Sequence, residues 1–304
     1  MSEYHYSQLS QPKSVRLLRL LPSKDADLRC DLFEYSLVDS SKPSHPYEAL
    51  SYVWGSEKKP KSITVNNQHL PITENLYTAL LHLQDGPCAR VIWVDAICID
   101  QANKKEKSVQ IPLMAEIYAK ARQVIVWLGK AEADSDRALE EIRRAGENSA
   151  TISSAESSQE AIRQLVKRPW FERVWVLQEM AAARHVLIVC GSTEIDGYVF
   201  CSGLNFLSMT MTITPPQVSF LIRGAIFRAK SLPSTQERLS LNICSLSQLL
   251  DMYHNHRATE RHDMIYCLGS ANARTPLGAR FPRIYPPSNL RTSRATILKI
   301  LYII

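Results

Sequence analysis

The stretch FERVWVLQEM, residues 171–180, places one carboxylate, Glu179, four positions after an indole, Trp175, in a run that is otherwise mostly apolar. Wound as a helix at about 100° per residue, residues 170–184 carry apolar side chains almost all the way round, so the helix is expected to be buried. Glu179 then falls between Trp175 and Ala183, on the stripe that also holds Glu172. A buried carboxylate is costly unless it is paired, multiply hydrogen-bonded or protonated. Two accounts follow: a structural ion pair with a nearby arginine, or an acid tuned for chemistry by burial beside an aromatic ring.

Other residues able to do chemistry sit where strands are expected to end. YEALSYVWG (47–55) would present Ser51, Tyr52, Trp54 and Gly55 at its carboxyl end, and RVIWVDAICID (90–100) would present Asp95, Asp100 and then Gln101. Open α/β sheets bind ligands at that edge. Asp95 and Asp100 have opposite parity on an extended strand, so both enter one pocket only if the strand has ended by about Cys98. Turn or capping roles weigh equally for the two aspartates, and core packing is the plain role for Trp54, Trp93 and Trp127. His254 and His256 lack a third ligand for a metal.

The elements that must hold these residues read as α/β. Residues 14–22 and 29–38 form a hairpin joined by SKDAD, and DSSKPSHP is a linker. A second hairpin turns at NNQ (66–68), and Thr73 caps a helix carrying Leu76, Leu80 and Leu83 on one face. Residues 90–100 are apolar on both parities, as in a central strand of a parallel sheet. A helix over 103–121 buries Met114, Ile117 and Ala121, with Pro112 resetting it. QVIVWLG and RHVLIVCG are further buried strands, and 131–168 is a helical surface insertion. The expected divisions are an N-terminal hairpin and linker (1–44), a core (45–200) and a helical extension (201–304) with helices near 245–258 and 262–269. The last apolar run ends uncapped, as if cut within a helix.

Composition narrows the function. A net charge of +6 is spread along 304 residues, with lysine runs only at 58–61 and 104–107, so neither DNA nor RNA is the expected partner. The N-terminus lacks the apolar core of a secretory signal, and no segment has the length to span a bilayer. The seven cysteines show no CxxC pair and suit reduced core positions of a cytoplasmic or nuclear protein. No Walker, dinucleotide-binding GxGxxG, GxSxG or HExxH motif occurs, and ten glycines are few for a phosphate-cradling enzyme.

Taken in order, YEALSYVWG, LPITENLYTALLHLQ, the block from VIWVDAICIDQ to QVIVWLG, and RPWFERVWVLQEM resemble the fungal heterokaryon incompatibility (HET) domain over about residues 45–191. RATERHDMIYCLG (257–269) resembles a later block of the family, with His262 before Asp263 where an arginine is expected. The resemblance implies a cytoplasmic protein of nonself recognition that triggers programmed cell death, acting with a protein partner or by self-association. It also implies a distant kinship with the Toll/interleukin-1 receptor (TIR) fold, a flavodoxin-like, mostly parallel sheet flanked by helices. Some TIR domains cleave NAD with a glutamate four residues after a tryptophan on a helix, the spacing of Trp175 and Glu179. By that analogy Glu179 is catalytic, NAD is a substrate rather than a resident cofactor, and Ser51, Tyr52, Trp54, Gly55, Asp95, Asp100 and Trp175 line the pocket. The competing reading is a non-enzymatic interaction module in which Glu179 is a structural acid. Glu179 in a concave pocket at the strand ends favours the first, and Glu179 sealed against an arginine favours the second.

Overall fold

A computed structural model describes residues 2–225 except 24–26, 39–46, 85–86, 148–155 and 212. His254, His256, the 257–269 block and the helices expected beyond 226 lie outside the described residues.

The chain opens with the expected hairpin, β1 (Ser14–Leu20) antiparallel to β2 (Arg29–Ser36), running from Ser14↔Ser36 to Leu20↔Cys30. β3 (Glu48–Tyr52) is buried at every position. β4 (Lys61–Val65) and β5 (Gln68–Ile72) form the second hairpin. Its two central residues, Asn66 and Asn67, have φ of 47° and 62°, the left-handed pair that a two-residue turn of primed type requires and that asparagine tolerates. Asn66 also exchanges two 3.0 Å hydrogen bonds with the backbone of Leu32, anchoring this hairpin to β2.

Helix α1 (Glu74–Leu83) follows, with the Thr73 hydroxyl accepting from the Leu76 amide at 3.4 Å, and it buries Leu76, Ala79, Leu80 and Leu83. Because Thr73 is itself buried, Thr73→Ala is expected to cost about 1 kcal/mol. The check is a lower urea midpoint with an unchanged slope.

The strand expected over 90–100 is shorter than its apolar run suggests. β6 covers Arg90–Trp93 only, and Asp95–Cys98 winds into a helical turn, α2. Apolar residues on both parities suit a buried turn as well as a buried strand, and Val94, in extended conformation, makes the switch. The next helix breaks at Pro112 as expected. α3 (Lys104–Gln110) passes through a tight turn at Ile111–Leu113 into α4 (Met114–Lys120). β7 (Val124–Trp127) is buried throughout. α5 (Ser135–Gly146) and α6 (Glu156–Val166) pack together, and α5 buries a full stripe, Ala138, Leu139, Ile142 and Ala145. A tight turn at Pro169–Glu172 precedes α7 (Trp175–Ala182), followed by β8 (Val186–Cys190), β9 (Thr193–Asp196), α8 (Gly197–Thr210) and α9 (Ser219–Arg223).

All strands belong to one sheet in the order β5-β4-β2-β1-β6-β3-β7-β8-β9. β6, β3, β7 and β8 are mutually parallel, while the hairpins add antiparallel pairs at both flanks. Counted along the chain, the parallel strands stand in the order 2-1-3-4, the flavodoxin-like arrangement, with its switch point between β3 and β7. The fold is α/β, a mixed sheet with a parallel centre flanked by helices. The N-terminal hairpin pairs through β1 with β6 and shares one apolar core with the rest.

Candidate site at the carboxyl end of the parallel strands

β3 ends at Tyr52, and the groups around that end come from four parts of the chain. Ser51 is 1% exposed; its hydroxyl accepts from Trp170 Nε1 at 2.8 Å and donates to Glu179 Oε2. Glu179 Oε1 faces Arg173 Nη2 at 3.8 Å, and Arg173 Nη1 donates to the Tyr52 carbonyl. On the neighbouring parallel strand, Asp95 starts α2 immediately beyond β6. Its Oδ2 accepts from Trp54 Nε1 at 3.0 Å and its Oδ1 from the Ala96 amide at 2.7 Å. Gln101 holds the Asp95 carbonyl at 2.8 Å.

The helix carrying Glu179 is not the continuous one that periodicity suggests. Arg173 is extended (φ −73°, ψ 135°) between the Pro169–Glu172 turn and α7. In one helix Arg173 and Glu179 would be about 240° apart around the axis. The extended residue breaks that phase, removes Glu172 from the Glu179 stripe, and lets the guanidinium fold back over the carboxylate. Helical periodicity therefore does not point to Arg173, although it stands six residues before Glu179. Trp170, the indole that fixes Ser51, lies in the Pro169–Glu172 turn rather than in the helix.

Electrostatically this is a cluster of two acids and one base. Burial pushes the Glu179 carboxyl above its ordinary range, opposed by Arg173 and by the Ser51 hydrogen bond. Burial likewise raises Asp95, opposed by Arg173 and the Trp54 N–H. The Arg173 guanidinium is held charged because Glu179 and Asp95 outweigh its own desolvation. Two phenols complete the setting. Tyr118 donates to the Leu50 carbonyl at 3.1 Å. The buried Tyr52 hydroxyl, within the fields of Asp95, Arg173 and Glu179, has no hydrogen-bond partner among the described residues. Burial drives both phenols well above their ordinary values, so they stay protonated.

The structure therefore brings together Glu179, Ser51, Tyr52, Asp95 and Trp54. Asp100 lies elsewhere: its Oδ1 accepts from the Ala102 amide at 3.0 Å, and its field is felt at Tyr6, near the Arg16–Glu106 ion pair. Gly55 follows Trp54 in the open, with φ +74° and nothing within 4 Å of a Cβ built on it. Trp175 is half-buried against the core. Of the three indoles expected in the core, Trp93 and Trp127 are buried, while Trp54 is 38% exposed. At the switch point itself, Asn75 donates to the Val53 carbonyl and accepts from Trp127 Nε1 at 3.1 Å, bridging the ends of β3 and β7. Nothing in the helical pattern of α1 marked that residue.

Among the described residues no helix is long and apolar enough to cross a membrane, and no group of three His, Cys, Asp or Glu side chains could hold a metal. The family described as "Heterokaryon incompatibility protein (HET)" matches residues 47–179, from the residue before β3 to Glu179 itself. The chain is 32% identical to "Heterokaryon incompatibility protein 6, OR allele" of Neurospora crassa over 67% of its own length, and spans 37% of that protein. No solved structure matches. The chain thus belongs to the fungal heterokaryon incompatibility (HET) family, with its HET domain built on β3 to α7.

Proposed function

We propose that this chain acts in heterokaryon incompatibility and triggers programmed cell death as a protein-interaction module, engaging a partner or further copies of itself rather than turning over a substrate. The observation that supports this reading is the closure of Glu179. The residue is 1% exposed, and both carboxylate oxygens are engaged, one by Ser51 and one facing Arg173. A carboxylate held in this way fixes α7 to the end of β3. At 1% exposure it presents no open face to a ribose hydroxyl.

A second reading, TIR-like hydrolysis of NAD, draws support from the place of the cluster. Asp95, Tyr52 and the exposed Trp54 stand beside Glu179 at the carboxyl ends of parallel strands, where open α/β sheets receive ligands. In that chemistry Glu179 would stabilise oxocarbenium-like charge as nicotinamide departs.

One experiment separates the two. The parent and Glu179→Gln are expressed in fungal cells, and NAD content, cell death and the melting temperature of the purified chains are measured. The expected result is unchanged NAD with the parent while the cells die, and a variant whose killing falls only as far as its stability does. NAD loss with the parent, abolished in a variant that folds as well as the parent, would sink the interaction reading.

A further inference from the structure

Helices α5 and α8 pack against each other, yet their outer sides differ. On α5 the outward positions Asp136, Arg137, Glu140, Arg143 and Arg144 are all charged, as befits a helix that meets water. α8 has no charged residue along its 14. Its inner side, with Phe200, Leu204 and Leu207, lies against α5, β8 and β9. At about 100° per residue, Tyr198, Ser202, Asn205, Phe206 and Met209 fall within about 100° of one another on the opposite side. Tyr198 and Phe206 are 42% exposed there, and Met209 is 87% exposed. With Phe220 of α9, which packs on α8, the two helices carry four of the seven large apolar side chains exposed among the described residues. A helix apolar on both sides belongs between two layers, and the described residues supply one of them.

We propose that residues 245–258 of the same chain dock as a helix along the outer side of α8, setting Leu246, Leu249, Leu250 and Tyr253 against Tyr198, Phe206 and Met209. The described residues end beside this face, since Ala225, two positions after α9, is buried where α9 meets α8. In SLSQLLDMYHNHRA (245–258) the three leucines and Tyr253 recur at the i, i+3, i+4, i+7 spacing of one apolar helix stripe. Wound as a helix, these 14 residues are about 21 Å long, the length of α8. The intervening residues 226–244 span about 25 Å as a coil, enough to lay the segment along its neighbour. A tethered helix meets the face at an effective concentration near millimolar, so a small contact holds it. A second copy of the chain would need about 800 Å² of this surface, more than four partly covered side chains offer. α8 lies beyond the family match at 47–179, so this packing is a layer added to the HET domain.

The test is photo-crosslinking of the full chain with p-benzoylphenylalanine in place of Phe206 or Tyr198, exposed rings whose shape the probe keeps. Illumination of the monomer is expected to join either position to a peptide within 245–258, identified by mass spectrometry. The same probe in place of Glu140, on the charged side of α5, gives none of that product. Leu250→Asp lowers the yield at least about threefold, since a carboxylate must then enter an apolar contact. Met209→Asp does the same from the α8 side, at an exposed position that leaves the rest of the fold intact and so keeps the result readable if Leu250→Asp folds poorly. A product elsewhere in the chain, equal yield from position 140, a yield that neither aspartate lowers, or no product overturns the docking. A product joining two copies also overturns it and gives the face to self-association instead.

Discussion

Replacing Arg173 with methionine is expected to destabilise the fold by about 3–5 kcal/mol at neutral pH, because it leaves a buried carboxylate without its cation. Glu179 is 1% exposed and keeps only the Ser51 hydroxyl, and the Tyr52 carbonyl loses its donor at the same time. The pH dependence follows from the direction of the acid shifts. Asp95 and Glu179 titrate above their ordinary values of 3.8 and 4.5 because burial outweighs Arg173. Acids raised in this way contribute their stability in full below the unfolded values and lose it as pH rises through the folded ones. Without Arg173 both rise further, so the variant's deficit is largest at pH 7 and shrinks toward pH 4. Glu48, held down by Arg90, Arg122 and Gln123 despite burial, and Glu106, held down by Arg16, behave in the opposite sense, losing their contribution as pH falls. They are common to both proteins and cancel in the difference. Urea unfolding of parent and variant at the two pH values gives the result. A deficit that stays constant with pH would mean that Arg173 acts through packing alone. Adding Glu179→Gln to Arg173→Met should restore part of the loss, since the charge left unpaired is then removed.

This cluster shows where the sequence was legible. A carboxylate, Glu179, deep in an all-round apolar run announced a buried acid, and periodicity was enough for that, because burial depends on which residues surround Glu179 within its own helix. The identity of the counter-ion depended on a single residue's backbone angles. Arg173 is extended where the pattern continued as helix, and hydrophobic periodicity is blind to one break inside a run that is apolar on every face. The same limit explains β6. Trp93, Val94, Ile97, Cys98 and Ile99 are all buried, so strand and helical turn leave the same apolar signature, and only the length of the run was informative. Hairpins were easier. Asn66-Asn67 and Thr73 state their backbone conformations through their own chemistry, and the structure follows them. The order of the strands, and hence the meeting of Ser51 with Glu179 over 128 residues of chain, rests on long-range pairing that no local pattern encodes.

The glycines of α5 and α8 carry the other large effect, which the sequence concealed because α8 has only a weak apolar stripe. A Cβ built on Gly203, in the middle of α8, would lie 2.0 Å from the Ile142 carbonyl oxygen of α5, and one on Gly146 would lie 2.2 Å from the Val199 carbonyl oxygen of α8. Each helix therefore presses bare backbone against the other at a reciprocal pair of contacts. Gly203→Ala gains helix propensity worth about 0.5–1 kcal/mol. Against this, a methyl group cannot occupy a space two ångströms from backbone, so the helices must part. α8 also packs on β8, β9 and α9, so it cannot move away from α5 without disturbing those contacts. Overpacking of a well-filled core costs about 1–3 kcal/mol and more where the obstacle is rigid, so the net loss expected is about 2 kcal/mol or greater. Thermal or urea unfolding measures it. Gly146→Ala added to Gly203→Ala should cost less than the two separate losses combined, because helices already forced apart by one methyl group make room for the second. Strict additivity would show that the two contacts yield independently and that α5 and α8 do not move as one unit.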